Sequence, residues 1–123
     1  MTSTTTTTTS TPTDGWTRVC PLDALVPDRG AAALVDGHQV AVFRLSGSGD
    51  VHALDHHDPF SGANVMARGL VGSRGGVPTI ASPMHKQSFD LTTGQCLDDE
   101  SVALRVWPVR VVDGWVEIGS APA

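Results

Sequence analysis

The chain has 123 residues, with 8 Lys and Arg against 13 Asp and Glu, which gives a formal net charge of -5. This length predicts one domain, and an acidic surface disfavours nucleic-acid binding through phosphate contacts. No apolar stretch approaches the roughly 18 residues that a membrane-spanning helix needs, so the sequence excludes an integral membrane protein. Thirteen Gly and eight Pro favour short strands joined by turns over helices.

The N-terminal residues 1–14 are a low-complexity tract rich in Thr and Ser. We predict that they are disordered, because the tract has no apolar face to bury. They lack the basic start and apolar centre of a signal peptide. Cys20 and Cys96 form neither a disulfide framework nor a zinc motif. The sequence therefore predicts a cytoplasmic protein with reduced thiols, a domain over 15–120 and a short tail over 121–123.

The folded part begins with a predicted strand over 16–20, after which 21–25 could form a helical turn. Asp36-Gly37 and Asp113-Gly114 are dipeptides preferred in type I′ hairpin turns. The strands around these turns are predicted at 31–35 and 39–45, and at 109–112 and 115–118.

The strand over 39–45 is apolar on both of its faces. Val40 and Val42 alternate with Ala41 and Phe43. Because successive side chains of a strand point to opposite faces, this pattern predicts a central strand that is covered on both sides.

Further short strands are predicted at 51–54, 79–81 and 88–91. Residues 55–78 are instead rich in Gly and polar side chains, and we predict a long irregular segment of the kind that often carries function. The fold class predicted from these patterns is all-β, a small sandwich or barrel with elaborated loops.

Histidines near an aspartate raise the hypothesis of a mononuclear metal enzyme. His56 or His57 together with Asp58 and His85 would supply imidazole and carboxylate ligands for iron or zinc. Adjacent His56 and His57 point to opposite faces of an extended chain, so both could ligate only if the backbone bends sharply.

Two segments, 53–63 and 81–94, resemble the loops that hold the cluster of Rieske [2Fe–2S] domains, one carrying Cys-x-His and the other Cys-x-x-His. Asp58 and Phe60 occupy the ligand positions of the first loop, and Ser82 and His85 those of the second. Phe60 has no lone pair to donate and Ser82 is a poor substitute for thiolate. The resemblance therefore implies vestigial ligand positions, with no metal or cofactor bound by this chain. Phe60 would fill the space of the cluster, and His85 would be a hydrogen-bonding loop residue.

The substituted motifs Asp-Pro-Phe-Ser-Gly-Ala-Asn, Gly-Ser-Arg-Gly-Gly-Val-Pro and Ser-Pro-Met-His-Lys-Gln resemble one family, the small subunit of assimilatory NAD(P)H-dependent nitrite reductase. The resemblance extends from residue 16 to about residue 119. It implies a Rieske-like β-sandwich that acts as a non-catalytic accessory subunit in the reduction of nitrite to ammonium. It also implies a large-subunit partner that carries FAD, a [4Fe–4S] cluster and siroheme.

In Rieske domains the two loops form the tip that docks on partner proteins, so the resemblance also implies partner contacts. The candidate residues are Phe60, Met84, Lys86 and Arg74. A stand-alone Rieske-like binding module without a redox partner is the other alternative.

Overall fold

The computed structural model describes residues 15–84 and 86–120, and these form ten β-strands and two short 3₁₀ turns. The 3₁₀ turns span Leu22–Ala24 and Met66–Arg68. The strands are β1 (Trp16–Pro21), β2 (Gly30–Val35), β3 (His38–Arg44), β4 (Val51–Asp55), β5 (Leu70–Arg74), β6 (Val77–Ala81), β7 (Ser88–Asp90), β8 (Val106–Trp107), β9 (Val109–Val112) and β10 (Trp115–Gly119).

The strands are arranged in three antiparallel sheets. Their orders are β1-β10-β9, β2-β3-β4-β8 and β5-β6-β7. The all-β prediction is confirmed, and the first 3₁₀ turn lies within the segment 21–25 where a helical turn was expected. Among the described residues, none of the helical segments has the length and apolar character required to cross a membrane.

Both predicted hairpins form with the expected turn chemistry. Asp36 and Gly37 have φ angles of 50° and 81°, and Asp113 and Gly114 have φ angles of 52° and 78°. A type I′ turn requires positive φ at both central residues, which Asp and Gly tolerate better than other residues. The turns fix the registers of the β2–β3 and β9–β10 pairs.

Strand β3 separates two hydrophobic clusters, as its apolar pattern predicts. Val40 and Val42 face a cluster that also contains Trp107. Ala41 and Phe43 face the other cluster, which extends toward the third sheet. We call it the loop-side cluster. Its members are Ala41, Phe43, Leu54, Met66, Ile80, Phe89, Leu91, Cys96 and Leu104. The second and third sheets therefore meet over one continuous apolar layer.

The prediction of a single irregular segment over 55–78 is wrong for its second half. Strands β5 and β6 form a hairpin around Gly75 and Gly76, whose φ angles are 60° and 83°. Gly72 and Ser73 of β5 are exposed, so this edge strand has none of the apolar alternation that predicts strands. The irregular part ends at Gly69, before β5 begins.

The two cysteines are free and belong to different parts of the core. Cys96 is buried in the loop-side cluster, whereas Cys20 packs against the cluster on the other side of β3. Burial raises the pKa of the Cys20 thiol. The predicted tails over 1–14 and 121–123 lie outside the described residues.

We expect Gly94→Ala to destabilise the domain by at least about 2 kcal/mol. Gly94 has a φ of 80°, and an added Cβ would collide with the carbonyl oxygen of Leu104. The matched control is Gly47→Ala, since no heavy atom lies within 4 Å of the added Cβ there. Denaturant unfolding of both variants measures the difference, and equal stabilities would contradict the packing of Gly94 against Leu104.

Candidate functional site

A hydrogen bond between two buried side chains joins the loops that follow β4 and β6. The Ser82 hydroxyl donates to Asp58 Oδ2 at 2.6 Å, and both residues are buried. We call residues 58–63 the first loop and residues 82–87 the second loop. The resemblance placed a cluster-ligand position at each of these two residues, and the structure brings the two positions into direct contact.

The first loop is a tight turn closed by its own backbone. The Asp58 N–H donates to Ala63 O at 2.8 Å, and the Gly62 N–H donates to Asp58 O at 2.8 Å. The Asp58 side chain accepts from the Phe60 N–H through Oδ1 at 2.9 Å. This is an Asx-type turn, which Asp favours because its carboxylate reaches the backbone two residues on.

The second loop repeats this geometry. The Ser82 N–H donates to Gln87 O, and the Lys86 N–H donates to Ser82 O, both at 2.9 Å. The Ser82 hydroxyl oxygen accepts from the Met84 N–H at 3.2 Å. The fifth residue has positive φ in each loop, 77° at Gly62 and 64° at Lys86. The two loops are therefore copies of one turn that meet at their first residues.

The Asp58 carboxylate is buried and surrounded by hydrogen-bond donors. Besides the Phe60 N–H and the Ser82 hydroxyl, the Ser61 hydroxyl donates to Oδ2 at 2.9 Å. Burial acts to raise the pKa of Asp58, but the hydrogen bonds from Ser82, Phe60 and Ser61 outweigh it and hold the pKa below its ordinary value. Asp58 is thus an ionised carboxylate at neutral pH.

Phe60 and Met84 occupy equivalent positions in the two loops but have different surroundings. Phe60 is half-buried and packs against the loop-side cluster, with its ring centroid 6.2 Å from that of Phe89. Met84 is 54% exposed. The first loop therefore turns its apolar side chain toward the core, and the second presents its apolar side chain at the surface.

Residues His56 and His57 have separate roles at the base of the first loop. His56 is buried, and its Nδ1 accepts from the Ala67 N–H at 3.1 Å. Burial and the charge of Arg68 lower the pKa of His56, which favours the neutral ring that this contact needs. His57 is exposed, with Nδ1 3.3 Å from Asn64 Oδ1.

Two groups of the hypothetical mononuclear centre, His56 and Asp58, are thus engaged in other contacts. His56 Nδ1 is used by the Ala67 N–H, and both Asp58 oxygens accept hydrogen bonds. In the part of the chain that the structure describes, no three potential metal-ligating residues come together. His85, the other predicted ligand, lies outside that part.

The remaining candidate contacts, Lys86 and Arg74, lie in different places. Lys86 is exposed on the second loop. Arg74 pairs with Val77, at the end of the β5–β6 hairpin remote from Ser82, and its guanidinium lies 3.4 Å from the Asp98 carboxylate. The donor role of Ser61 toward Asp58 was not predicted from the sequence, although the Asp-x-x-Ser spacing is one over which the two side chains of a tight turn can meet.

The site does not fit a [2Fe–2S] cluster, the group that the Rieske loops would hold. Two oxygen ligands of one tetrahedral metal, with bonds of about 2.0 Å, lie roughly 3.3 Å apart. Asp58 Oδ2 and the Ser82 hydroxyl oxygen lie only 2.6 Å apart and are joined by a hydrogen bond instead. Phe60 offers no lone pair, and neither cysteine lies in the loops.

Paired loops at the end of an antiparallel β-fold define this chain as a Rieske-like domain, and the sequence profile of the family described as Rieske-like [2Fe-2S] domain matches residues 15–119. The nitrite reductase (NADH) small subunit of Salmonella typhimurium is 40% identical over 103 residues, covering 84% of this chain and 95% of that protein. The chain therefore belongs to the family of nitrite reductase small subunits.

Two further similarities complete the comparison. A crystal structure assigned to the NADH-dependent nitrite reductase small subunit of Mycobacterium tuberculosis superposes with a TM-score of 0.83, is 48% identical, and covers 88% of this chain and 96% of that one. The nitrite reductase [NAD(P)H] large subunit of Klebsiella oxytoca is 40% identical over 109 residues, which cover 89% of this chain and 11% of that protein. The predicted family and fold are confirmed.

We expect Ser82→Ala to destabilise the domain by about 2 kcal/mol, because it removes a hydrogen bond to a buried charged group. Asp58→Asn and the double variant complete a cycle that isolates the coupling between the loops. Chemical denaturation gives the free energy of unfolding of all four proteins. Additive effects of the two changes would contradict a Ser82 hydrogen bond that is strengthened by the charge of Asp58.

The same proteins test the charge on Asp58. A lowered folded-state pKa stabilises the domain above the unfolded-state pKa of about 3.9, and this contribution is lost as the pH falls through the folded-state value. The stability difference between wild type and Asp58→Asn is therefore largest above about pH 4 and shrinks in acid.

Proposed function

We propose that this chain is the accessory small subunit of an NAD(P)H-dependent nitrite reductase and that it supports the reduction of nitrite to ammonium without transferring electrons itself. The observation that carries this proposal is the replacement of the cluster site, within a small-subunit family fold, by the Asp58–Ser82 hydrogen bond. A Rieske centre needs thiolate and imidazole ligands. The first loop has neither at Asp58 or Phe60, and Ser82 opens the second loop without a thiol.

The large subunit of nitrite reductase is the proposed partner. The similarity to a segment of the Klebsiella oxytoca large subunit supports this assignment, because that segment is covalently part of the same polypeptide. Covalent linkage keeps two domains at a high effective concentration. Where the two are separate polypeptides, the small subunit instead binds through a surface of its own.

The redox groups are assigned to the partner. FAD, a [4Fe–4S] cluster and siroheme on the large subunit would carry electrons from NAD(P)H to nitrite. The contribution of this chain is then to bind the large subunit and stabilise its active form. We further propose a cytoplasmic location and a folded domain over 15–120, whose bounds the family match over 15–119 supports.

The proposed docking surface is the loop tip, which the first loop and the second loop form together. Met84 and Lys86 are exposed on the second loop, and Phe60 supports the first loop from the core side. Arg74 remains a candidate at the periphery, with its charge balanced by Asp98. An apolar centre bordered by cations matches the usual anatomy of a protein interface.

The absence of a cluster ligand set is tested by reconstitution with ferrous iron and sulfide. We expect no iron–sulfur absorption and no acid-labile sulfide in the wild-type protein. The triple variant Asp58→Cys, Phe60→His, Ser82→Cys restores the Rieske ligand types at three positions and controls for the procedure. A cluster in the wild-type protein would contradict the proposed function.

Docking is tested by binding to the purified large subunit. Met84→Asp should weaken the complex about tenfold, because it places a charge in the apolar centre of the interface. Val26→Asp is the matched control, since Val26 is 56% exposed and lies outside both loops. A large subunit that is as stable and active alone as in the complex would contradict the accessory role.

A further inference from the structure

Lys86 has a backbone conformation that its side chain disfavours. Its φ is 64°, in the left-handed region where the Cβ of an L-residue crowds the following carbonyl. The first loop places Gly62 at the equivalent position, with a φ of 77°. Glycine adopts this conformation without the steric penalty. The second loop could therefore form with glycine at position 86 and would be less strained.

Lys86 differs in residue type from the other non-glycine residues that have a positive φ. In the described ranges 15–84 and 86–120, the non-glycine residues with positive φ are Lys86 and three aspartates, Asp28, Asp36 and Asp113. Aspartate tolerates this region because its carboxylate bonds to nearby backbone groups. The lysine side chain has no acceptor atom and so cannot bond to a backbone N–H in this way.

The lysine side chain does not stabilise the fold by pairing with another charge. Lys86 is exposed and forms no ion pair with any described residue. A strained residue whose exposed side chain pairs with no described charge is a candidate for a functional contact, since such strain concentrates at binding sites.

The loop tip is also positive on a protein that is acidic overall. Of the 13 acidic residues, only Asp58 falls within 56–69 and 82–87, and it is buried. The same segments carry exposed Arg68 and Lys86, the latter being the single lysine of the chain. These segments therefore present cations and no exposed carboxylate of their own, and the Asp98 carboxylate, which accepts from the Ser88 N–H at 2.8 Å, lies just beyond the second loop.

We propose that Lys86 determines the specificity of docking by binding a carboxylate on the large subunit, next to an apolar contact made by Met84. This inference rests on the proposed function and adds the chemistry of the partner surface, an acidic site with an apolar centre. Complementary charges at an interface select the partner and accelerate association.

The Asp58–Ser82 hydrogen bond holds the backbone that carries Lys86 in a fixed position. It ties the first residue of the second loop to the first loop, and the Lys86 N–H is bonded to Ser82 O at 2.9 Å. Lys86 is thus held by the same backbone turn that the bond anchors. Preorganisation of this kind reduces the entropy lost when the partner binds.

The experiment measures the stability of the full chain and its affinity for the purified large subunit in three variants. Lys86→Gly relieves the strain and removes the cation, so we expect the thermal midpoint to rise by about 4 °C and the affinity to fall about tenfold, with a weaker dependence on salt. Lys86→Arg keeps the charge and the strain, and should bind like the wild type.

The matched control is Asp113→Gly. It likewise puts glycine at a position with positive φ, in the β9–β10 turn of the sheet that does not carry the loops, and should leave affinity unchanged. Lys86→Gly binding with wild-type affinity and salt dependence would overturn the inference while the proposed function stands. A lower thermal midpoint for Lys86→Gly would also overturn it, since the lysine would then serve the fold. No binding by the wild-type protein would contradict the proposed function itself.

Discussion

The geometry of the loop tip depends on one buried carboxylate. Asp58 joins its own loop through the Phe60 N–H and Ser61, and joins the second loop through Ser82. A buried charge is stable only when donors replace the water that it has lost. The carboxylate therefore needs all of these donors together, because the loss of any one leaves it with too few hydrogen bonds to replace water. This mutual requirement fixes the two irregular segments relative to each other.

The rest of the domain holds the bases of these loops at the correct separation. Strand β4 leads into the first loop and β6 into the second, and both strands cover the loop-side cluster through Leu54 and Ile80. His56 adds a polar anchor, since its N–H bonds to Gln39 O of β3 and its ring accepts from Ala67. The close approach of Asp58 to Ser82 is thus set by the spacing of two sheets packed over one apolar layer.

Sequence patterns predicted most of the fold because its determinants are local. Asp36-Gly37 and Asp113-Gly114 specify hairpins, and the apolar faces of 40–43 identify the central strand. Strand β5 was missed because it is an exposed edge, stabilised by pairing with β6 rather than by burial. The loop motifs located the candidate site. The bond between Asp58 and Ser82 spans 24 positions, and only the packing of the sheets determines which oxygen meets which donor.

The hydrogen-bonded crosslink has a consequence for how the subunit matures. In a Rieske domain the cluster itself joins the two loops, through ligands that both loops supply. Every atom that joins the loops here is encoded in the chain, from the Asp58 carboxylate to the Ser82 hydroxyl. This link forms as the polypeptide folds, and the link itself needs no iron or sulfide.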